Sequence, residues 1–264
     1  MNVALRFEWV RLHTLRSTYW LIASALLLNA TAAVLVAYVT RDDPLTGDIV
    51  GTAITAGGAN PPVPLAAVFL AVLGILATGH EYRYGTVQPT LTAIPRRSTV
   101  LAAKIIVVAL VATAVAVLSV ITNIAVGMAF WGEFPDLGEQ PLNQALPGYL
   151  VMVLLWAVLG TALGQLFRGV APPLILILAV PLVVEQLIFR LSFVPALDWL
   201  RPAVKFLPFL AGQQLVNLNG EAGGTTTAGS GFELFDRWVA GGVFATFVVI
   251  VLVAARTSFE RRDA

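Results

Sequence analysis

Few side chains in this 264-residue sequence are equipped for chemistry, and their spacing argues against a reaction centre. The lysines are Lys104 and Lys205, and they follow Ala103 and Val204. Neither completes the Gly-x-x-x-x-Gly-Lys-Ser/Thr loop that cradles nucleotide phosphates. The histidines are His13 and His80. His80-Glu81 begins like a zinc-protease motif, but Tyr84 stands where the second histidine is needed. There is no cysteine, which removes thiolate catalysis, cysteine-ligated metals and disulfides. No catalytic, metal-ligating or cofactor-binding residue is therefore assigned to this chain. Glu185 is the ionisable residue read as lying inside an apolar span, a placement that costs about 2.5–3.5 kcal/mol at the bilayer midplane and marks a functional candidate. It precedes Arg190 by about one turn, near a span end where a long side chain can snorkel. Two readings stand: Glu185 lines an outward-opening cavity that favours cationic or hydroxyl-rich cargo, or it is an interfacial carboxylate without cargo contact. Ser119, Thr122 and Asn123 suit hydrogen bonding between helices, with Asn123 a second candidate for the cargo pathway.

The elements that must position these groups are apolar. Hydrophobic residues make up 58% of the chain and charged residues 12%, against about 25% charged in an ordinary soluble domain. Mean hydropathy is +0.85. The composition predicts an all-α polytopic membrane protein, and a net charge of +1 argues against nucleic acid as a partner.

The one long basic stretch between two apolar runs is His80–Lys104, HEYRYGTVQPTLTAIPRRSTVLAAK, with Arg83, Arg96, Arg97 and Lys104 against Glu81. Its middle reads as a short helix. Thr86 after Gly85 is a suitable N-cap, Pro89 falls in the first turn, and Pro95 ends the helical geometry. Val87, Leu91 and Ile94 then share one face. The spacing fits an amphipathic helix that inserts this face into a partner, and it fits equally a positive loop that only sets topology.

Six spans follow from the apolar runs, at about 19–39, 62–79, 101–131, 148–167, 171–189 and 238–255. Together they form a single transmembrane domain. Residues 1–18 carry two narrow apolar stripes, Val3-Phe7-Val10 and Leu5-Trp9-Leu12, and read as an interfacial helix or, equally, as the solvent-side extension of the first span. Residues 40–61 and 132–147 read as loops. Residues 190–218 are too apolar for a solvated loop and too broken by Pro195, Pro202 and Pro208 to span, so they read as a re-entrant or interfacial segment. Asn219–Gly231 is Gly/Thr-rich and reads as a mobile linker. Of sixteen basic residues, Arg41, Arg190, Arg201, Lys205 and Arg237 fall on one side; the remaining eleven fall on the side of both termini and the His80–Lys104 loop. The Lys/Arg bias makes that second side cytoplasmic.

Several of these residues carry a resemblance. Glu81-Tyr82-Arg83-x-Gly85-Thr86, Thr90-Leu91, Pro95-Arg96-Arg97 and Lys104 resemble the cytoplasmic signature of ABC type-2 transporter permeases, in a form similar to actinobacterial drug and antibiotic exporters. Leu207-Pro208-x-x-Ala211-Gly212 is similar to that family's extracellular re-entrant helices, and Phe259-x-Arg261-Arg262-Asp263 to its C-terminal motif. The resemblance implies a cytoplasmic coupling helix between spans two and three. This helix docks on a separate ABC ATP-binding subunit that holds ATP and Mg. Its contact set is Glu81, Tyr82, Arg83, Gly85, Thr86, Val87, Leu91, Ile94, Pro95, Arg96, Arg97 and Lys104, with Leu91 and Ile94 as apolar knobs. The resemblance also implies a second permease copy and a place in the inner or plasma membrane. The function expected is outward movement of a hydrophobic or amphiphilic small molecule, such as an antibiotic. An ion-coupled secondary carrier, which would want more intramembrane charge, and a non-transporting scaffold or sensor are the alternatives.

Overall fold

The computed structural model of the chain describes residues 1–56, 64–93, 97–218 and 234–261. Among these residues every regular element is helical: α1 (Asn2–Thr14), α2 (Arg16–Val39), α3 (Gly47–Ile54), α4 (Leu65–Arg83), α5 (Val87–Ala93), α6 (Arg97–Trp131), α7 (Leu142–Phe167), α8 (Ala171–Ala179), α9 (Glu185–Leu191), α10 (Arg201–Val204), α11 (Pro208–Gln213) and α12 (Arg237–Arg261). A π-helical turn, Val180–Val184, joins α8 to α9 and contains Pro181, which has no amide to give to a regular ladder. Counting that pair as one, six helices are long and apolar enough to cross a membrane. At about 1.5 Å per residue the 35-residue α6 is ~52 Å long, well beyond a ~30 Å hydrocarbon layer, so it tilts or projects.

Apolar runs mark the middles of these helices but not their ends. α7 begins at Leu142, upstream of Pro147, where the sequence places the boundary. The proline is the sixth residue of the helix, inside its second turn, where it leaves the Asn143 carbonyl without the ladder amide it would otherwise receive. The expected loop at 40–61 contains α3, whose Val50, Ala53 and Ile54 are buried against neighbouring spans. Residues 57–61 of the expected loop and 62–63 of the expected second span lie outside the described part, as does the predicted mobile linker.

The core is the pair α4 and α7. Backbones touch along this contact because it is lined by glycine and alanine, the small-residue packing that membrane helices use where burial of apolar surface from water gives no drive. A Cβ on Gly160 would overlap the Ala71 carbonyl, one on Gly74 the Ala157 carbonyl, and one on Gly164 the Thr78 hydroxyl. About 61% of the apolar window of each of these helices is buried, against 22% for the first span and 17% for the fifth.

Chain direction sorts the short elements to two ends. α1, α5, the α7–α8 turn and the end of α12 lie at one end; α3, α10 and α11 lie at the other. At the α3 end, α11 is fixed by an aromatic cluster in which Phe209 meets Trp156 at 5.0 Å and Phe244 at 5.8 Å between ring centroids. Arg237, opening α12, donates to the Leu215 carbonyl (3.0 Å) and the Asn217 carbonyl (2.6 Å). Most of the 190–206 part of this region is exposed, with Trp199 and Phe206 outward, while Ser192 and Val204 are buried.

Candidate coupling site at the α5 end

α4 ends in a left-handed residue. Gly85 has φ +67°, and the Thr86 amide reaches back to the Glu81 carbonyl at 2.9 Å, the 6→1 bond of a Schellman cap. That turn reverses the chain into α5. Thr86 is exposed beside it. Val87 is 8% exposed, turned into the protein. Val87 thus lies on the covered side of α5. Thr90 is buried on the same side, which leaves Gln88, Pro89 and Thr92 as the exposed face. The Leu91 side chain and the whole of Ile94, Pro95 and Arg96 lie outside the described part. So do Arg262 and Asp263 of the C-terminal motif.

Directly behind α5 lies a four-membered ion cluster. Lys104 on α6 donates to Glu8 on α1 at 2.7 Å and to Glu81 on α4 at 2.5 Å, and Lys104 and Glu8 are each 2% exposed. Arg11 pairs with the same Glu81 oxygen, with Glu8 at 3.2 Å, and with the Ala77 carbonyl. Two carboxylates and two cations make the cluster neutral. Burial pulls the Arg11 pKa below its usual value, while Glu8 acts the other way. Lys104 and Glu81, both in the expected contact set, are buried and paired within the chain. Both serve as internal ties.

α1 is oriented by this cluster rather than by its apolar stripes. Its buried face is Ala4, Glu8 and Leu12, while Val3, Phe7, Trp9 and Val10 are exposed. Between α1 and the α4–α5 corner lies a cavity of about 290 Å³, bordered by Phe7, Arg11, His80, Glu81, Tyr84 and Thr86 among others. The corner is therefore held to α1 by charge more than by contact.

Two further links close this end. Gln165 near the end of α7 donates to the Tyr82 hydroxyl, and Arg168, a non-glycine residue in left-handed geometry, lies over the Tyr82 ring at 5.8 Å. Arg97 donates to the Phe259 carbonyl at 3.0 Å, joining the start of α6 to the end of α12. Among the described charged residues of the predicted contact set, Arg83 is the exposed one, its guanidinium 5.8 Å from the Tyr84 ring.

The two pathway candidates are occupied elsewhere. Glu185 is 3% exposed, and its two oxygens accept the amides of Phe209 (2.9 Å) and Leu210 (2.7 Å), so this carboxylate caps α11 from a different helix. It neither snorkels nor lines an open cavity. Asn123 donates to the Ile54 carbonyl at 2.7 Å and ties α6 to the end of α3. Glu8, Arg11 and Gln165 are the partners that sequence reasoning did not pick out. Among the described residues no group of histidine and acidic side chains could hold a metal ion.

The ABC-2 family transporter protein model matches residues 4–184, a stretch that includes all four members of the ion cluster and α5. No curated protein matches the chain.

Proposed function

The chain belongs to the ABC-2 transporter family, and from that premise we propose that it is the permease subunit of an ATP-driven exporter. It is a multi-pass membrane protein with six apolar helices of spanning length. A separate ATP-binding subunit, carrying ATP and Mg, docks beneath it. The Lys/Arg bias supports placing the α5 end and both termini in the cytoplasm.

The observation that carries the proposal is the buried ion cluster behind α5. A displacement of α5 passes to α4 through the Gly85 turn and on toward α6 along the chain. Lys104 and Glu81 then hand it to α1, which no short covalent path joins to α5. The coupling helix meets the ATPase through Gln88, Pro89 and Thr92, flanked by Arg83 and Tyr84, all exposed. A second permease copy and lipid share the rows of large apolar side chains on the first and fifth spans, such as Leu27, Leu35, Ile175 and Val183.

The cargo is a hydrophobic or amphiphilic small molecule of the antibiotic type, moved outward as an efflux activity. An apolar crevice of about 470 Å³ between α1, α2 and α6 supports this class. Its walls include Trp9, Ile22, Leu110 and Leu118, and it has a polar corner where the Tyr19 hydroxyl meets His13 Nδ1 at 2.8 Å. Its size lies within the ~300–1,000 Å³ range of small-molecule sites.

The test is co-purification of the tagged chain with a P-loop ATPase, followed by the double variant Gln88→Glu/Thr92→Glu. Loss of the ATPase from a variant that still folds is expected. Equal recovery of the ATPase overturns the docking role, and cargo movement by the purified chain alone overturns the exporter reading.

A further inference from the structure

His13 and Tyr19 meet at the corner between α1 and α2, and the hydrogen bonds there set the state of the histidine ring. The Tyr19 hydroxyl lies 2.9 Å from the His13 carbonyl and 2.8 Å from His13 Nδ1. A carbonyl only accepts, so the single hydroxyl proton goes to it. The Tyr19 oxygen then accepts from Nδ1, which places the proton of the neutral imidazole on Nδ1. Nε2 is left with a bare lone pair, and no hydrogen bond to it is formed among the described residues. The Trp9 ring, 5.0 Å away between centroids, flanks the imidazole.

This corner borders the crevice of about 470 Å³ between α1, α2 and α6. The other walls are apolar and include Leu12, Ile22, Leu110, Ala114 and Leu118. Tyr19, Leu110 and Leu118 are exposed, so the crevice opens away from the bundle, toward lipid. Helix geometry gives its depth. Tyr38 follows Tyr19 by 19 positions on α2, about 28 Å at 1.5 Å per residue, close to the ~30 Å of the hydrocarbon layer. Tyrosines at that spacing mark the two interfaces, so the His13–Tyr19 corner lies at headgroup level. Leu118 stands about 12 Å beyond Leu110 along α6, on the hydrocarbon side.

A polar end at headgroup level and an apolar slot running inward match an amphiphile lying parallel to the lipids. The bare nitrogen accepts and does not donate, so the head that fits it carries an O–H or N–H. We infer that the crevice seats an amphiphile whose head is a hydrogen-bond donor, an alcohol or an amine, and that His13 Nε2 receives that donor. Calling the occupant cargo, and the leaflet inner, rests on the exporter reading; the seat itself does not.

The test uses the full chain in phosphatidylcholine nanodiscs, a lipid without O–H or N–H, with no ATPase or nucleotide present. The chain has two histidines, so isotope-labelled histidine gives two rings, and His13→Gln assigns them. At about pH 8.5, above the ordinary histidine range, the His13 ring is expected in the Nδ1–H form. Dodecylamine moves its Nε2 resonance saturably, while dodecyltrimethylammonium, with the same chain and no N–H, does not. The amine binds about tenfold more tightly, the equivalent of ~1.4 kcal/mol, and His13→Phe, which keeps a ring beside Trp9, removes that difference. Ala114→Phe, at an exposed position of the wall, fills the slot and abolishes the response. An Nε2–H ring, equal responses to the two probes, or an unchanged response in Ala114→Phe each overturns the inference. Failure of an ATPase to co-purify overturns the exporter reading and leaves this titration as it is, so the two fail separately.

Discussion

Lys104→Met removes the cation that Glu8 and Glu81 share, at similar side-chain length and with no new charge. Two carboxylates are then left with Arg11 alone. Glu8 is 2% exposed and Glu81 7% exposed, so water cannot replace the lost ammonium. Breaking a buried pair by deleting one partner costs about 3–5 kcal/mol. With a melting shift of about 2–4 °C per kcal/mol for a chain of this size, the expected fall is ~6–20 °C in a detergent thermal-unfolding assay. An internal reference is available in Arg256 and Glu260, a 2.9 Å pair one turn apart whose side chains are largely in solvent. Such pairs contribute about 0.2–1 kcal/mol, so Arg256→Met is expected to shift the transition by at most about 4 °C. The double variant Glu8→Gln/Lys104→Met removes one charge of each sign, leaves Glu81 paired with Arg11, and recovers most of the loss. A Lys104→Met shift no larger than that of Arg256→Met, or a double variant no better than the single one, refutes the reasoning.

Three more outcomes are expected. Gly160→Val drives a side chain into the Ala71 carbonyl, and overpacking of this kind costs at least about 1–3 kcal/mol. The variant should therefore lose monodispersity on size-exclusion chromatography, while Gly242→Val, which meets nothing within 4 Å, elutes as the parent. Glu185→Ala strips the cap from α11 and raises hydrogen exchange at the Phe209 and Leu210 amides about tenfold, the equivalent of ~1.4 kcal/mol, with the rest of the bundle unchanged. Tyr82→Phe leaves the Gln165 amide without its acceptor in a half-buried site, and unfolding stability falls by about 1–3 kcal/mol on thermal or chemical denaturation.

Runs of apolar residues make the six spanning helices legible because lipid imposes a length and a composition on any segment that crosses it. The helix after Gly85 is legible for a local reason: Gly85, Pro89 and Pro95 punctuate it. What the sequence conceals is pairing at a distance. Lys104 and Glu8 are separated by 96 positions, and a charge beside an apolar run reads equally well as surface. Glu185 shows the same difficulty, since an acid in a span is read as functional when its partners are backbone amides 24 and 25 residues later. α3 was hidden by its eight-residue length among turn-formers. One signal went unused: Gly160-x-x-x-Gly164 is a small-residue packing motif written in the sequence.

The backbone contact between α4 and α7 also limits how this protein can move. Helices whose carbonyls rest on each other's glycines cannot slide or rotate by even a side chain's width without collision, so they turn as one body. The first and fifth spans lack that constraint, since most of their surface faces away from the bundle. Any rearrangement of the spans is thus a swing of loosely fastened outer rods about a welded axle, and the welded pair sets the pivot.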